Sequence, residues 1–174
     1  MKYCYLAIFF FISNLVNASG SLSVTVPNTM EERVKACTIC HNNKQKEGRD
    51  VYYPRIAGKP AGYIFNQLKY FRDGLRHYKP MAILLENMSD EYMLEIAYYF
   101  SSLQLPYPLP EKISMYPEEI KRIDLLMRLG DSERNIPACQ SCHGKRLMGI
   151  RPFIPGLLGL PYTYISAQFG SWRN

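Results

Sequence analysis

Cys37-Thr38-Ile39-Cys40-His41 and Cys139-Gln140-Ser141-Cys142-His143 are two copies of one pattern, Cys-x-x-Cys-His, set 102 residues apart in a chain of 174. The pattern reads as an attachment site for haem c. Its two thiols add across the two vinyl groups of the porphyrin. The histidine that follows is placed to ligate the iron from one face. Other readings of Cys-x-x-Cys fit less well. A thioredoxin-like dithiol belongs near a β-α-β pattern, and none is evident. Structural zinc needs four ligands gathered at one site, whereas each motif offers two thiols and a histidine. A disulfide across two intervening residues does not account for the histidine that recurs in both copies.

The start of the chain has the form of a secretory signal. Lys2 is a thin positive region, Tyr3 to Ile12 is an apolar run, and Val16-Asn17-Ala18 presents small residues for cleavage after Ala18. The run is too short to span a bilayer, and Asn14 and Asn17 interrupt it. Export to the periplasm is therefore expected. Of five cysteines, Cys4 leaves with the signal, and the other four are the two motif pairs. The redox chemistry is thus assigned to a cofactor, two covalently bound haem c groups, and not to sulfur. The formal charge is +6; without Lys2, 20 basic against 15 acidic residues leave +5. Four ionised haem propionates nearly cancel that excess. No nucleic-acid motif appears, so no nucleic-acid partner is expected. Local basic faces are suited to steering an acidic redox protein.

Aligned on the two motifs, the chain repeats itself. Pro54, Gly58, Pro60, Tyr63, Ile64, Gln67 and Arg72 match Pro155, Gly159, Pro161, Tyr164, Ile165, Gln168 and Arg173, at an offset of 101. Phe71 faces another aromatic, Trp172. Such self-similarity is a duplication. The organisation expected is a signal over 1–18, a first domain over 19–105, a proline-rich linker over 106–110 and a second domain over 111–174. Leu105-Pro106-Tyr107-Pro108-Leu109-Pro110 suits a semi-rigid, extended connection. Asp73 aligns with Asn174, so the second copy has no equivalent of Gly74 to Ser102 and is expected to be incomplete.

Hydrophobic periodicity predicts an all-α fold. A short helix is expected over Thr29 to Ala36, leading into the first motif. Pro60 to Arg72 places Tyr63, Ile64, Gln67, Leu68 and Phe71 on one stripe behind a helix-starting proline. Ser89 to Leu103 is capped by Ser89, with Met93, Ile96, Ala97, Phe100 and Leu103 as its buried face. In the second half, Pro117 to Leu129 carries Ile120, Ile123, Leu126 and Met127, and Tyr162 to Trp172 forms another helix. No alternating strand stands out.

A carrier closes the open face of its iron with methionine or histidine. Met93 reads as core, and Met88 as a residue stapled against the Ser89-capped helix. Met81, in a loop after Pro80, and His77 both remain candidates on spacing.

Taken together, these residues resemble a known family, the two-haem class I cytochromes of the bacterial periplasm, or cytochrome c-four (c4) family. The likeness runs through Met30-Glu31-Glu32-Arg33-Val34-Lys35-Ala36 into the first motif, then Pro54-x-Ile56-Ala57-Gly58 and Tyr63-x-x-x-Gln67-Leu68. It continues through Met81, Met88-Ser89-Asp90-Glu91 and Ile96-Ala97-x-Tyr99-Phe100. In the second half it covers Gly130-Asp131, Ile136-Pro137-Ala138 with the second motif and Gly144, and Pro155-Gly156-Leu157-x-Gly159. The resemblance implies two facing cytochrome c domains with one haem each. It implies thioether bonds at Cys37, Cys40, Cys139 and Cys142, iron ligation by His41 and His143, and Met81 as the first haem's distal ligand. It implies that the carbonyls of Pro54 and Pro155 accept the second ring proton of each histidine, although both prolines can equally be loop-shaping residues. Electrons would pass from a quinol-oxidising complex toward a terminal oxidase, with peripheral association at the inner membrane.

The second half departs from the family, because a distal methionine and a closing helix are missing. Met148 is five residues past His143, on the proximal side, and substitutes poorly. The reading preferred here is a piece of a longer protein. The alternatives are a shortened gene or an open second haem. An open haem would suit a haem enzyme or subunit, peroxidase-like or the cytochrome subunit of a dehydrogenase. The chain itself shows no further catalytic constellation, so an electron carrier that is not an enzyme is the leading expectation.

Overall fold

The computed structural model describes residues 27–41, 52–107 and 114–172. The expected signal and its cleavage point, linker residues 108–110, and positions 173 and 174 lie outside them.

Thr29 opens the first half. Its hydroxyl oxygen accepts from the Glu32 amide at 3.3 Å and caps α1 (Met30–Arg33), with Glu31 and Glu32 at the positive end of the helix. The chain tightens at Val34, where the Cys37 amide reaches back three residues to the Val34 carbonyl at 2.9 Å. It then continues as α2 (Lys35–His41). The single helix expected over Thr29 to Ala36 is therefore two, and the second runs through the whole motif. Val34 explains the break: it is 1% exposed, and turning the helix there seats it in the core.

Pro60 precedes α3 (Ala61–Arg72), its ring supplying a φ of −55°. Next come α4 (Lys79–Leu85) and α5 (Asp90–Ser102). The Ser89 hydroxyl accepts from the Tyr92 amide at 3.2 Å, and Asp90 and Glu91 fill the first turn of α5. Helix α3 packs against α5 and α4. Val34, Ile64, Ile96, Ala97 and Phe100 form the core between them, and Met93 is fully buried. Leu103 caps α5 and leans on that core.

Helix α4 corrects the loop expected around Met81. Pro80 lies in its first turn, where a missing N–H costs no helical bond. Seven residues are too few to display a period.

In the second half, α6 (Pro117–Leu129) ends at Gly130, whose φ of +74° suits glycine. A side chain at Gly130 would also meet the Ile136 carbonyl at 2.4 Å, where Asp131 and Ile136 form a bridge. After α7 (Cys139–His143) comes a hairpin of β1 (Gly149–Ile150) and β2 (Ile154–Pro155), with Gly149 opposite Pro155. Helix α8 (Tyr162–Ser171) closes the described fold. Two-residue strands are too short to announce themselves by alternation. The apolar face read on α6 is not buried: Ile120 is 55% and Ile123 40% exposed. Its partner is α7, whose five residues cannot cover it.

The fold is all-α apart from this hairpin. No described helix is long and apolar enough to cross a membrane.

Candidate haem-binding sites

Helix α2 presents the first motif within two turns. Cys37 is half-buried, Cys40 is exposed, and the Thr38 hydroxyl donates to the Lys35 carbonyl at 2.9 Å. Burial pushes the Cys37 thiol above its ordinary pKa. His41 ends the helix with its Nδ1 2.8 Å from the Pro54 carbonyl oxygen. A carbonyl only accepts, so Nδ1 carries the proton and Nε2 keeps its lone pair. Burial holds the His41 pKa below its usual value. The Pro54 carbonyl opposes this, and the positive charge of Arg76 adds to it. At neutral pH the ring is therefore in the neutral, ligating form.

The second motif repeats the geometry. Helix α7 carries Cys139, half-buried, and Cys142, exposed, and stops at Gly144. His143 Nδ1 lies 2.7 Å from the Pro155 carbonyl oxygen. Pro155 belongs to β2, so the unanticipated hairpin is the element that presents this acceptor. Prolines 13 and 12 residues past the two histidines thus do the same work in both halves.

The donor set suits haem. The four motif cysteines are free thiols. Among the described residues, no three His, Cys, Asp or Glu side chains converge as ligands of a single ion would. Haem c would not require convergence, since the thiols would bond the porphyrin rim and, of each motif, only the imidazole would reach iron.

Met81 is half-buried in α4, with its amide bonded to the Tyr78 carbonyl at 3.0 Å. His77 is exposed, Met88 packs against the core from the side, and Met93 lies inside it. Met148, just ahead of β1, is 40% exposed.

One cluster escaped the sequence reading. Arg76 donates from Nη1 to Gln67 Oε1 at 2.8 Å, and from Nη2 to the Tyr164 hydroxyl at 3.0 Å and Gln168 Oε1 at 2.7 Å. Its guanidinium lies over the Phe71 ring, 4.5 Å from the centroid. The repeat contained the clue, because Gln67 and Gln168 are equivalent positions.

No protein-family model matches the chain. It is 32% identical over 75 residues to cytochrome c-554(548) of Halomonas halodenitrificans, covering 41% of this chain and 89% of that protein. It is 26% identical over 164 residues to cytochrome c4 of Pseudomonas aeruginosa, covering 94% of this chain and 76% of the relative. Reduced recombinant cytochrome c4 from Pseudomonas stutzeri superposes with a TM-score of 0.68 at 26% identity, over 81% of this chain and 76% of that one. The chain belongs to the cytochrome c4 family. This cytochrome c4-family chain is also 34% identical over 142 residues to the thiosulfate dehydrogenase electron acceptor of Thiomonas intermedia, across 80% of its own length. It spans 63% of the length of that relative and of its namesake from Stutzerimonas stutzeri. A thiosulfate dehydrogenase (TsdBA) structure from Marichromatium purpuratum matches 78% of the chain and 29% of its own, with a TM-score of 0.64 at 27% identity.

Proposed function

We propose that this protein is a dihaem c-type cytochrome that carries single electrons in the bacterial periplasm. The observation that carries the reading is the doubled geometry at the histidines, 2.8 Å from the Pro54 carbonyl and 2.7 Å from the Pro155 carbonyl. In this reading residues 1–18 direct export, 19–105 and 111–174 each form a haem domain, and 106–110 link them. Haem supplies the one-electron iron couple. Cys37 and Cys40 anchor one porphyrin, and Cys139 and Cys142 the other. His41 and His143 would bind iron through Nε2, while the proline carbonyls hold each ring in one tautomer and orientation and raise its basicity. Met81 would supply a thioether ligand to the first iron, which would favour the reduced state.

The donor in this proposal is a quinol-oxidising complex and the acceptor a terminal oxidase, with peripheral contact at the inner membrane and no nucleic-acid partner. The likeness to a thiosulfate dehydrogenase electron acceptor supports a second reading, in which a dehydrogenase is the donor. In that case the chain acts as the enzyme's cytochrome partner or subunit.

Protein matured in a host with a c-type haem attachment system is expected to gain the mass of two haems and to give a covalent pyridine haemochrome spectrum. A mass equal to the amino acids alone would sink the proposal. The donor is settled by mixing the oxidised protein with a quinol-oxidising membrane fraction or with a thiosulfate-fed dehydrogenase, and following which one reduces it. Rapid peroxide turnover would favour an enzymatic role for an open second haem.

A further inference from the structure

Arg76 stands where the two copies of the repeat meet. Its guanidinium binds Gln67 from the first half and the equivalent Gln168 from the second. Tyr63 and Tyr164, another repeated pair, meet at the same place: Tyr164 accepts from Arg76 at 3.0 Å, and the Tyr63 hydroxyl lies within reach of both groups. A single side chain therefore joins both Tyr-x-x-x-Gln segments. Among the described residues its side-chain acceptors are all neutral and no carboxylate pairs with it. Guanidinium does not release its proton in proteins, so a fixed positive charge stays at the junction. Arg76 lies in the connection between α3 and α4, five residues ahead of Met81, so the charge sits in the half that carries His41. A second tie runs alongside, since Lys59 donates to the carbonyl of Gly156 at 2.6 Å. Gly156 follows Pro155, the residue that orients His143.

We infer that Arg76 is a positioning residue that registers the two cofactor-bearing halves against each other and raises the reduction potential of the His41 centre over that of an otherwise identical site. The inference rests on the dihaem reading above. A fixed cation disfavours the more positive, oxidised iron, so it lifts the potential of the nearer centre. The shared fork fixes the separation and orientation on which electron exchange between the centres depends.

The test uses the full-length holoprotein and its Arg76→Gln, Arg76→Lys and Gln168→Leu variants. Potentials are read by spectroelectrochemical titration, exchange between centres by flash reduction, and the relation of the halves by small-angle X-ray scattering. Arg76→Gln is expected to lower the potential of the first centre, slow exchange by about tenfold and enlarge the scattering radius. Arg76→Lys keeps the charge and loses the fork, so it should restore the potential and leave exchange slow. Should Arg76→Gln fail to accumulate, Gln168→Leu decides: it removes one acceptor across the junction, and unchanged scattering with unchanged exchange overturns the inference. A wild-type chain with two haems, whose Arg76→Gln variant keeps its potentials and its radius, overturns this inference alone. A wild-type chain without covalent haem overturns it together with the reading it rests on.

Discussion

Lys59 is 7% exposed, and among the described residues its ammonium has one acceptor, the Gly156 carbonyl. Desolvation, helped by the charge of Arg55, pulls its pKa from the ordinary 10.5 down to about 8. Between those two values the unfolded chain holds more protons than the folded one, so stability rises with pH across that window. The gain is on the order of 3 kcal/mol at most. It should vanish in Lys59→Met, as read from urea titrations at about pH 7.5 and about pH 10 on both proteins. Met81 gives a spectroscopic prediction. Met81→Ala should lose the weak long-wavelength band of methionine-bound ferric haem, and the potential of the first centre should fall. A band that persists would make Met81 the wrong choice and bring His77 back. The cysteines and histidines could be singled out in the sequence because their Cys-x-x-Cys-His spacing is local and recurs. The prolines were legible only as a family trait, since a loop proline looks the same whether or not its carbonyl holds a ring. Arg76 was not legible, because its acceptors are 9 to 92 residues away in sequence.

Helices with a cap and three or more turns were readable end to end. Ser89 begins α5, Pro60 precedes α3, and α6 runs from Pro117 to Leu129 as its pattern implied. Capping bonds and the 3.6-residue period are local, so the sequence carries them directly. Ser89→Ala should therefore cost about 1 kcal/mol, visible as a lower denaturation midpoint without a change in slope. Met93→Ala, at a site with no exposure, should cost about 2–5 kcal/mol by the same measurement. The elements that were missed are α4, α7 and the β1–β2 hairpin, each too short for a period to register. The mistaken part of α6 was its environment: an apolar stripe states that a face seeks cover and does not state what covers it.

The two halves meet through few but specific contacts, among them the Arg76 fork, the Lys59–Gly156 bond and the approach of Phe153 to Gly62. Arg55 fastens the start of the connection to the first half, donating to the carbonyls of Leu105 and Pro106 at 2.6 and 2.7 Å and lying over the Tyr107 ring. Sequence showed that there were two halves and where a connection would run. It could not show how they dock, because that depends on pairs far apart in the chain. Gly62 sharpens the point. A carbon placed on it would fall 2.5 Å from the Phe153 ring and 2.9 Å from the Pro152 carbonyl. The first turn of α3 gives up some backbone restraint at this glycine, and in return its backbone admits the ring of the opposite half. A fit with no spare room behaves as a lock and not as a sliding contact. NMR relaxation on the diamagnetic reduced protein should then report one rotational correlation time for both halves, and Gly62→Val should split it into two.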